Sequence, residues 1–186
     1  MARFEFMPTR LAGARVVQRR RIDDERGFLS RMYCHDEFLA AGVTSTLAQI
    51  NHTLTRRRGT VRGMHFQWPP HGEVKLVSCI RGEVFDVAVD VRKGSPTFLA
   101  WHGEVLSAAN ERSLLIPEGF AHGFQTLVDD SELIYLHTAR YEPAAEGALN
   151  ALDPQLAIAW PLPVGEMSPR DRQVAMLSDA FDGIGQ

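Results

Sequence analysis

Between Arg56 and Cys79 the chain reads RRRGTVRGMHFQWPPHGEVKLVSC, and its polar residues suit a pocket wall better than a solvated face. Arg62, His65, Gln67, His71, Glu73 and Lys75 fall within one strand–turn–strand length, interleaved with Val, Phe and Leu. A histidine can take up and return a proton near neutral pH. A lysine or arginine can hold a negative charge as it develops. A second stretch, IPEGFAHGFQTL from Ile116 to Leu127, supplies His122.

Taken singly, each residue has an ordinary explanation. A lone histidine is usually a surface or satisfied core residue, and Lys75 reads as an exposed strand lysine. Tyr135 reads as a packed aromatic with its hydroxyl at the rim. Asp171 reads as a capping acid at a helix N-terminus. The clustering of His65 with Lys75 in one short segment raises the functional reading there. A metal centre is the rival, because His65, His71, Glu73 and His122 are all acceptable ligand types.

Strand geometry must position these groups. Along 61–68, His65 and Gln67 share one face, and Met64, Phe66 and Trp68 share the other. Arg62 has the wrong parity to join His65, so a shared pocket requires a bulge or twist at Gly63. Lys75, Val77 and Cys79 share a face of the next strand, His122, Phe124 and Thr126 of a later one, and Leu133, Tyr135 and His137 of the last. A barrel lined by these faces brings His65, Lys75, His122 and Tyr135 together.

From Thr60 to Ala139 the pattern is β throughout. Phe85, Val87, Val89 and Val91 alternate with Asp86, Ala88 and Asp90, and KGSP (93–96) closes that strand. Short, evenly spaced strands between Gly/Pro turns indicate an all-β sandwich or barrel. A strand is expected over 43–51, and a helix over His35–Ala41 with Gly42 just past its end. In the tail, Ser168-Pro169-Arg170-Asp171 is a helix start, and Val174, Leu177 and Phe181 extend it to about 169–181. Residues 182–186 are expected to be loose.

The 186 residues fit one domain, 1–186. At 45% hydrophobic and 23% charged the composition is that of an ordinary soluble protein. A net charge of -3 argues against a nucleic-acid binder. The runs Arg19–Arg21 and Arg56–Arg58 are solvated surface or an anion site, since guanidinium forks suit phosphate. Cys34 and Cys79 make neither a disulfide framework nor a zinc site. No apolar stretch fits a signal peptide or a membrane span, so a cytoplasmic protein is expected.

Pro117-x-Gly119-x-x-His122 resembles the second motif of the cupin double-stranded β-helix. The first cupin motif normally offers His-x-His, then a Glu with six residues between it and a Gly. Here it reads His65-Phe66-Gln67, and six residues lie between Lys75 and Gly82. A lysine there repels a metal ion and can stand in for its charge, which favours a metal-free site. The pieces DERGFL (24–29), QINH (49–52), VRGMHFQ (61–67), EVKLV (73–77), GEVFDVAVDVRKGSPTF (82–98), IPEGFAHGF (116–124), ELIYLHT (132–138), Tyr141 with Pro143, and SPRD (168–171) resemble the dTDP-4-dehydrorhamnose 3,5-epimerases.

That resemblance implies a cofactor-free, cupin-type jelly roll with a few peripheral helices. It implies a homodimer and a nucleotide-linked 4-keto-6-deoxy sugar as substrate. It implies His65 as base, Asp171 as its orienting carboxylate, and Lys75 and His122 at the C4 oxygen. Tyr135 becomes the acid on the opposite side, and Arg62 assists near sugar or phosphates. Asp86 becomes a supporting partner. Arg26, Gln49 and Asn51 match positions that contact the nucleotide diphosphate, and Arg170 keeps a positive charge found there. Ile22, Arg31 and Arg140 depart from the family's nucleotide-end pattern. Two alternatives follow: a 3- or 5-epimerase acting on a different nucleotide-linked 4-keto sugar, or a metal-dependent cupin enzyme. The product's expected destination is dTDP-rhamnose and polysaccharide biosynthesis.

Overall fold

The structure, a computed structural model, describes every residue except 1, 179 and 186. Its strands in chain order are β1 (Phe4–Pro8), β2 (Arg15–Arg19), β3 (Ile22–Asp24), β4 (Gly27–Leu29), β5 (Gln49–Thr55), β6 (Val61–Gln67) and β7 (Lys75–Arg81). There follow β8 (Glu83–Asp90), β9 (Trp101–Ser107), β10 (Arg112–Ile116), β11 (Phe120–Thr126), β12 (Ser131–His137) and β13 (Glu146–Ala148). Two short helices accompany them, α1 (His35–Ala40) and α2 (Pro169–Arg172).

Two antiparallel sheets face each other as a jelly roll. One runs β1-β2-β10-β7-β12-β5, the other β13-β6-β11-β8-β9. The central strands of both sheets are buried on both faces, because α1 and the tail cover parts of the outer sides, while the edge strand β5 stays largely exposed. Val77, Cys79, Leu114 and Ile116 meet Val84, Ala88, Leu106 and Phe124 between the sheets. Phe38 of α1 packs with Phe4, Val17, Leu76 and Leu136 outside the first sheet. The tail covers Val87, Val89 and Val91 outside the second. The alternation in β8 thus means something other than buried and exposed. Val87 and Val89 face the tail, while Val84 and Ala88 face the space between sheets, and Asp86 is fully buried.

The strand expected over 43–51 instead begins at Gln49 and runs to Thr55. β3 and β4 form a separate hairpin whose Ile22, Phe28 and Leu29 are exposed.

The tail departs most from expectation. Its helix stops at Arg172 instead of continuing to about 181. Side chains of the 150–155 loop take the backbone groups that a helix would use internally. Asn150 donates to the Val174 carbonyl, Gln155 donates to the Leu177 carbonyl, and Asp153 accepts from the Leu177 amide. Tertiary bonding overrides local propensity, and Leu177 and Phe181 reach the outer core from extended chain. Residues 182–185 are not loose either. The Ile184 amide donates to Val91 and its carbonyl accepts from Lys93, with the side chain buried. Gln186 lies outside the described residues.

The irregularity required at Gly63 is present. His122 pairs with His65 and Phe124 with Arg62, so two β6 residues oppose one β11 residue. This bulge brings Arg62 and His65 to the same cavity. Gly63 adopts φ +124°, and a Cβ there would lie 2.4 Å from the Gly123 Cα. Gly63→Ala therefore meets both a disfavoured φ and backbone overpacking. A loss of about 3 kcal/mol is expected, read as a lower urea midpoint with unchanged slope.

Candidate active site

A cavity of about 250 Å³ opens between the sheets. β6 contributes Arg62 and His65, β11 His122, β7 Lys75, β12 Tyr135 and His137, and β5 Gln49, Asn51 and Thr53. Every strand face expected to line the pocket does so.

His65 is part-buried, and its Nε2 lies 2.7 Å from Asp171 Oδ1. Asp171 is placed by α2. Ser168 caps that turn, its Oγ accepting from the Asp171 amide at 3.0 Å. The second carboxylate oxygen accepts from the Gly63 amide at 3.4 Å. Asp171 is therefore both the capping-turn acid read from sequence and the partner of His65. Facing a carboxylate, His65 Nε2 carries the proton, which leaves Nδ1 as the basic nitrogen. Burial pushes the Asp171 carboxyl up, but the hydrogen bond and charge of His65 and the Gly63 amide outweigh it, so the net direction is down.

The sign of the linkage follows. A depressed acid stabilises the fold at pH above its unfolded value, about 3.9, and that stabilisation is lost as pH falls through the lower folded value. Asp171→Asn is expected to remove this acid-range dependence and to reduce kcat/KM about a hundredfold through loss of the working tautomer. Melting curves and initial rates across pH check both.

A second pair sits beside the first. His122 Nε2 lies 2.7 Å from Asp86 Oδ1, and both residues are buried. The other Asp86 oxygen is buried with no hydrogen-bond partner among the described residues. The Tyr135 ring meets His122 edge-on at 5.9 Å and stacks on His137 at 6.1 Å. Its hydroxyl oxygen accepts from Thr53 at 3.5 Å. Burial first, and the Asp86 charge with it, push the Tyr135 phenol well above its ordinary value, so it stays protonated.

Lys75 is buried, with Nζ 3.1 Å from Glu73 Oε1 and 3.4 Å from the His65 carbonyl. The other Glu73 oxygen lies 2.7 Å from His137 Nδ1. Burial raises the Glu73 carboxyl, but His137 and Lys75 more than reverse this and hold it below its usual value.

The outer expected residues separate. Arg170 pairs with Glu146, which also accepts from the Tyr141 hydroxyl at 2.6 Å, at the cavity's edge. Arg26 is not brought to the cavity within this chain; it is exposed on the β3–β4 turn and paired with Asp24. His71 is also outside, its carbonyl accepting from Gln67. Ile22, Arg31 and Arg140 do not line the cavity, and Arg31 pairs with Glu37. Among the described residues no three His, Cys, Asp or Glu side chains converge as a metal centre requires.

Glu73, read from sequence as part of a pocket wall or a metal ligand, is the clamp on Lys75 and His137. Strand parity puts it with Lys75, and the same parity puts His137 with Tyr135, so both were accessible to that argument. Glu146, on the three-residue β13, had no periodic signal.

The arrangement supplies a histidine backed by a carboxylate, a protonated phenol on the facing sheet, and a buried lysine lining the same cavity. Such a set can move a proton on and off carbon next to a carbonyl.

A family model described as dTDP-4-dehydrorhamnose 3,5-epimerase matches residues 8–179. A dTDP-4-dehydrorhamnose 3-epimerase of Streptomyces niveus is 43% identical over 86% of this chain and 77% of its own. A dTDP-4-dehydrorhamnose 3,5-epimerase of Salmonella typhimurium is 42% identical over 89% and 91%. The crystal structure of a Legionella pneumophila dTDP-6-deoxy-D-glucose-3,5-epimerase, in complex with dTDP-4-keto-L-rhamnose, superposes with a TM-score of 0.90 at 38% identity, covering 98% of each chain. Sequence, sheet order and site geometry agree: the chain is a cupin-type isomerase and belongs to the dTDP-4-dehydrorhamnose 3,5-epimerase family.

Proposed function

We propose that this chain epimerises dTDP-4-dehydro-6-deoxyglucose at C3 and C5, giving dTDP-4-dehydrorhamnose. The observation that carries this is the pairing of a carboxylate-backed His65 on one sheet with a protonated Tyr135 on the other. His65 Nδ1 takes the proton at a carbon flanking the C4 ketone. The electron pair moves onto oxygen as an enolate, where the Lys75 ammonium holds the charge with His122 beside it in the cavity wall. Tyr135 returns a proton to the other face of the same carbon, which inverts it. The buried Lys75–Glu73 pair makes the ammonium a fixed charge that need not reorganise as the oxyanion forms.

Arg62 and Arg170 attract the diphosphate, and Gln49 and Asn51 meet the nucleotide end. The exposed apolar β3–β4 hairpin carries Arg26, and a homodimer in which it reaches a partner accounts for both facts. Among the described residues no helix is long and apolar enough to cross a membrane. With two free cysteines, the cytoplasm suits the chain.

Solvent exchange is the deciding experiment. The protein is incubated with dTDP-4-dehydro-6-deoxyglucose in D₂O, and C3 and C5 are followed by NMR. Label and inversion at both carbons are expected. Label at C3 alone makes the protein a 3-epimerase, as its Streptomyces niveus relative is named. No label overturns the assignment of this sugar nucleotide.

A further inference from the structure

A line of polar groups crosses the cavity wall from the reacting end to Tyr141. Strand register places Lys75 beside His137, His137 beside Gln49, and Tyr135 beside Asn51. Lys75 Nζ meets Glu73 Oε1 at 3.1 Å, and Glu73 Oε2 meets His137 Nδ1 at 2.7 Å. His137 Nε2 meets Asn51 Nδ2 at 3.4 Å. Gln49 Nε2 donates to Asn51 Oδ1 at 3.1 Å, and Gln49 Oε1 accepts from the Tyr141 amide at 3.1 Å.

Both ends of this line have fixed polarity. The Tyr141 backbone N–H can only donate, so Gln49 must turn its oxygen to it. Gln49 then offers its amino group to Asn51, and Asn51 offers its own to His137. At the other end an ionised Glu73 can only accept, so His137 carries its proton on Nδ1 and accepts at Nε2. The two ends agree on one arrangement. Replacing His137 by a group that cannot accept removes one of the two anchors and leaves the Asn51 amide held from the Gln49 side alone.

We propose that His137, held by Glu73, is a positioning residue for the nucleotide end of the substrate, anchoring from the reacting end the line that sets how the Asn51 and Gln49 amides present their donors and acceptors. The proposal rests on the assignment of those two amides to the nucleotide. The charged and titratable groups facing His137 are Glu73, Lys75 and Tyr135. Protonation at Nε2 would turn the acceptor into a donor and break the line at Asn51.

Two measurements test this. In ligand-free protein with ¹⁵N-labelled histidine, NMR at pH 7.5 or so reads the ring directly, and the Nδ1–H tautomer is expected for His137. An Nε2–H tautomer or an imidazolium overturns the proposal, whatever the substrate proves to be. The second measurement is steady-state kinetics of His137→Phe and His137→Gln with the dTDP-linked 4-keto sugar. His137→Phe keeps the stacking on Tyr135 but cannot accept; KM is expected to rise about tenfold, the size of one or two hydrogen bonds, with a much smaller change in kcat. His137→Gln, whose oxygen can accept from Asn51, is expected to recover most of that loss. Unchanged KM in a folded Phe variant overturns the proposal, as does a loss confined to kcat. Failure of the wild type to turn over this sugar refutes the substrate assignment instead, and the tautomer then decides the positioning claim alone.

Discussion

Replacing His65 by asparagine is expected to lower turnover by about a thousandfold and to stop deuterium entering both C3 and C5. Asparagine keeps a polar side chain of similar width but has no basic nitrogen. On the proposed mechanism one base can serve both positions, because both flank the same C4 carbonyl. The variant also leaves Asp171, buried among Gly63, Ser168 and the missing imidazole, short of its strongest partner. A stability loss of about 1–3 kcal/mol accompanies the lost activity, so a melting curve at the assay temperature must show the variant folded. Wild-type exchange at either carbon would hand that proton to a different base.

Removing the Tyr135 hydroxyl produces a different signature. In Tyr135→Phe the ring still packs against His122 and His137, and only the long Thr53 hydrogen bond is lost. Stability should change by less than about 1 kcal/mol. His65 can still take a proton and return a deuteron on its own face. Exchange with retention is therefore expected to continue, while inverted product falls by about a hundredfold or more. NMR of the sugar separates the two, because label and configuration are read on the same carbon. A parallel fall of exchange and inversion would remove Tyr135 from the second proton transfer and place it in orienting the substrate. The raised phenol also predicts the shape of the pH profile. A group that stays protonated well above neutrality imposes no alkaline limb of its own in the physiological range.

The parts of this site that could be read in the chain were those obeying strand parity. Lys75, His122 and Tyr135 fall on inward faces, and the faces alone bring them to His65. Arg62 broke that rule, and the break located the Gly63 bulge, since glycine without a Cβ is what the close approach to Gly123 demands. Parity says nothing about partners contributed by irregular chain. Asp171 carries the signature of a helix start, and only the family resemblance marked it as the partner of His65. Glu146 sits on a strand too short for any period. The overextended C-terminal helix has the same origin. Val174, Leu177 and Phe181 do sit at helical spacing, but the 150–155 loop takes their backbone groups first. Arg26, identified through a motif, lies on a hairpin that does not reach the cavity of its own chain.

The base and its carboxylate are 106 residues apart in sequence, one on the sixth strand and the other on the last helical turn. No contiguous stretch of chain holds both. A nascent or refolding molecule can complete most of its sheets and still keep His65 without the partner that sets its tautomer. Formation of this pair therefore requires closing a contact across 106 residues of chain, a cost in loop entropy that neither sheet's local pairing covers.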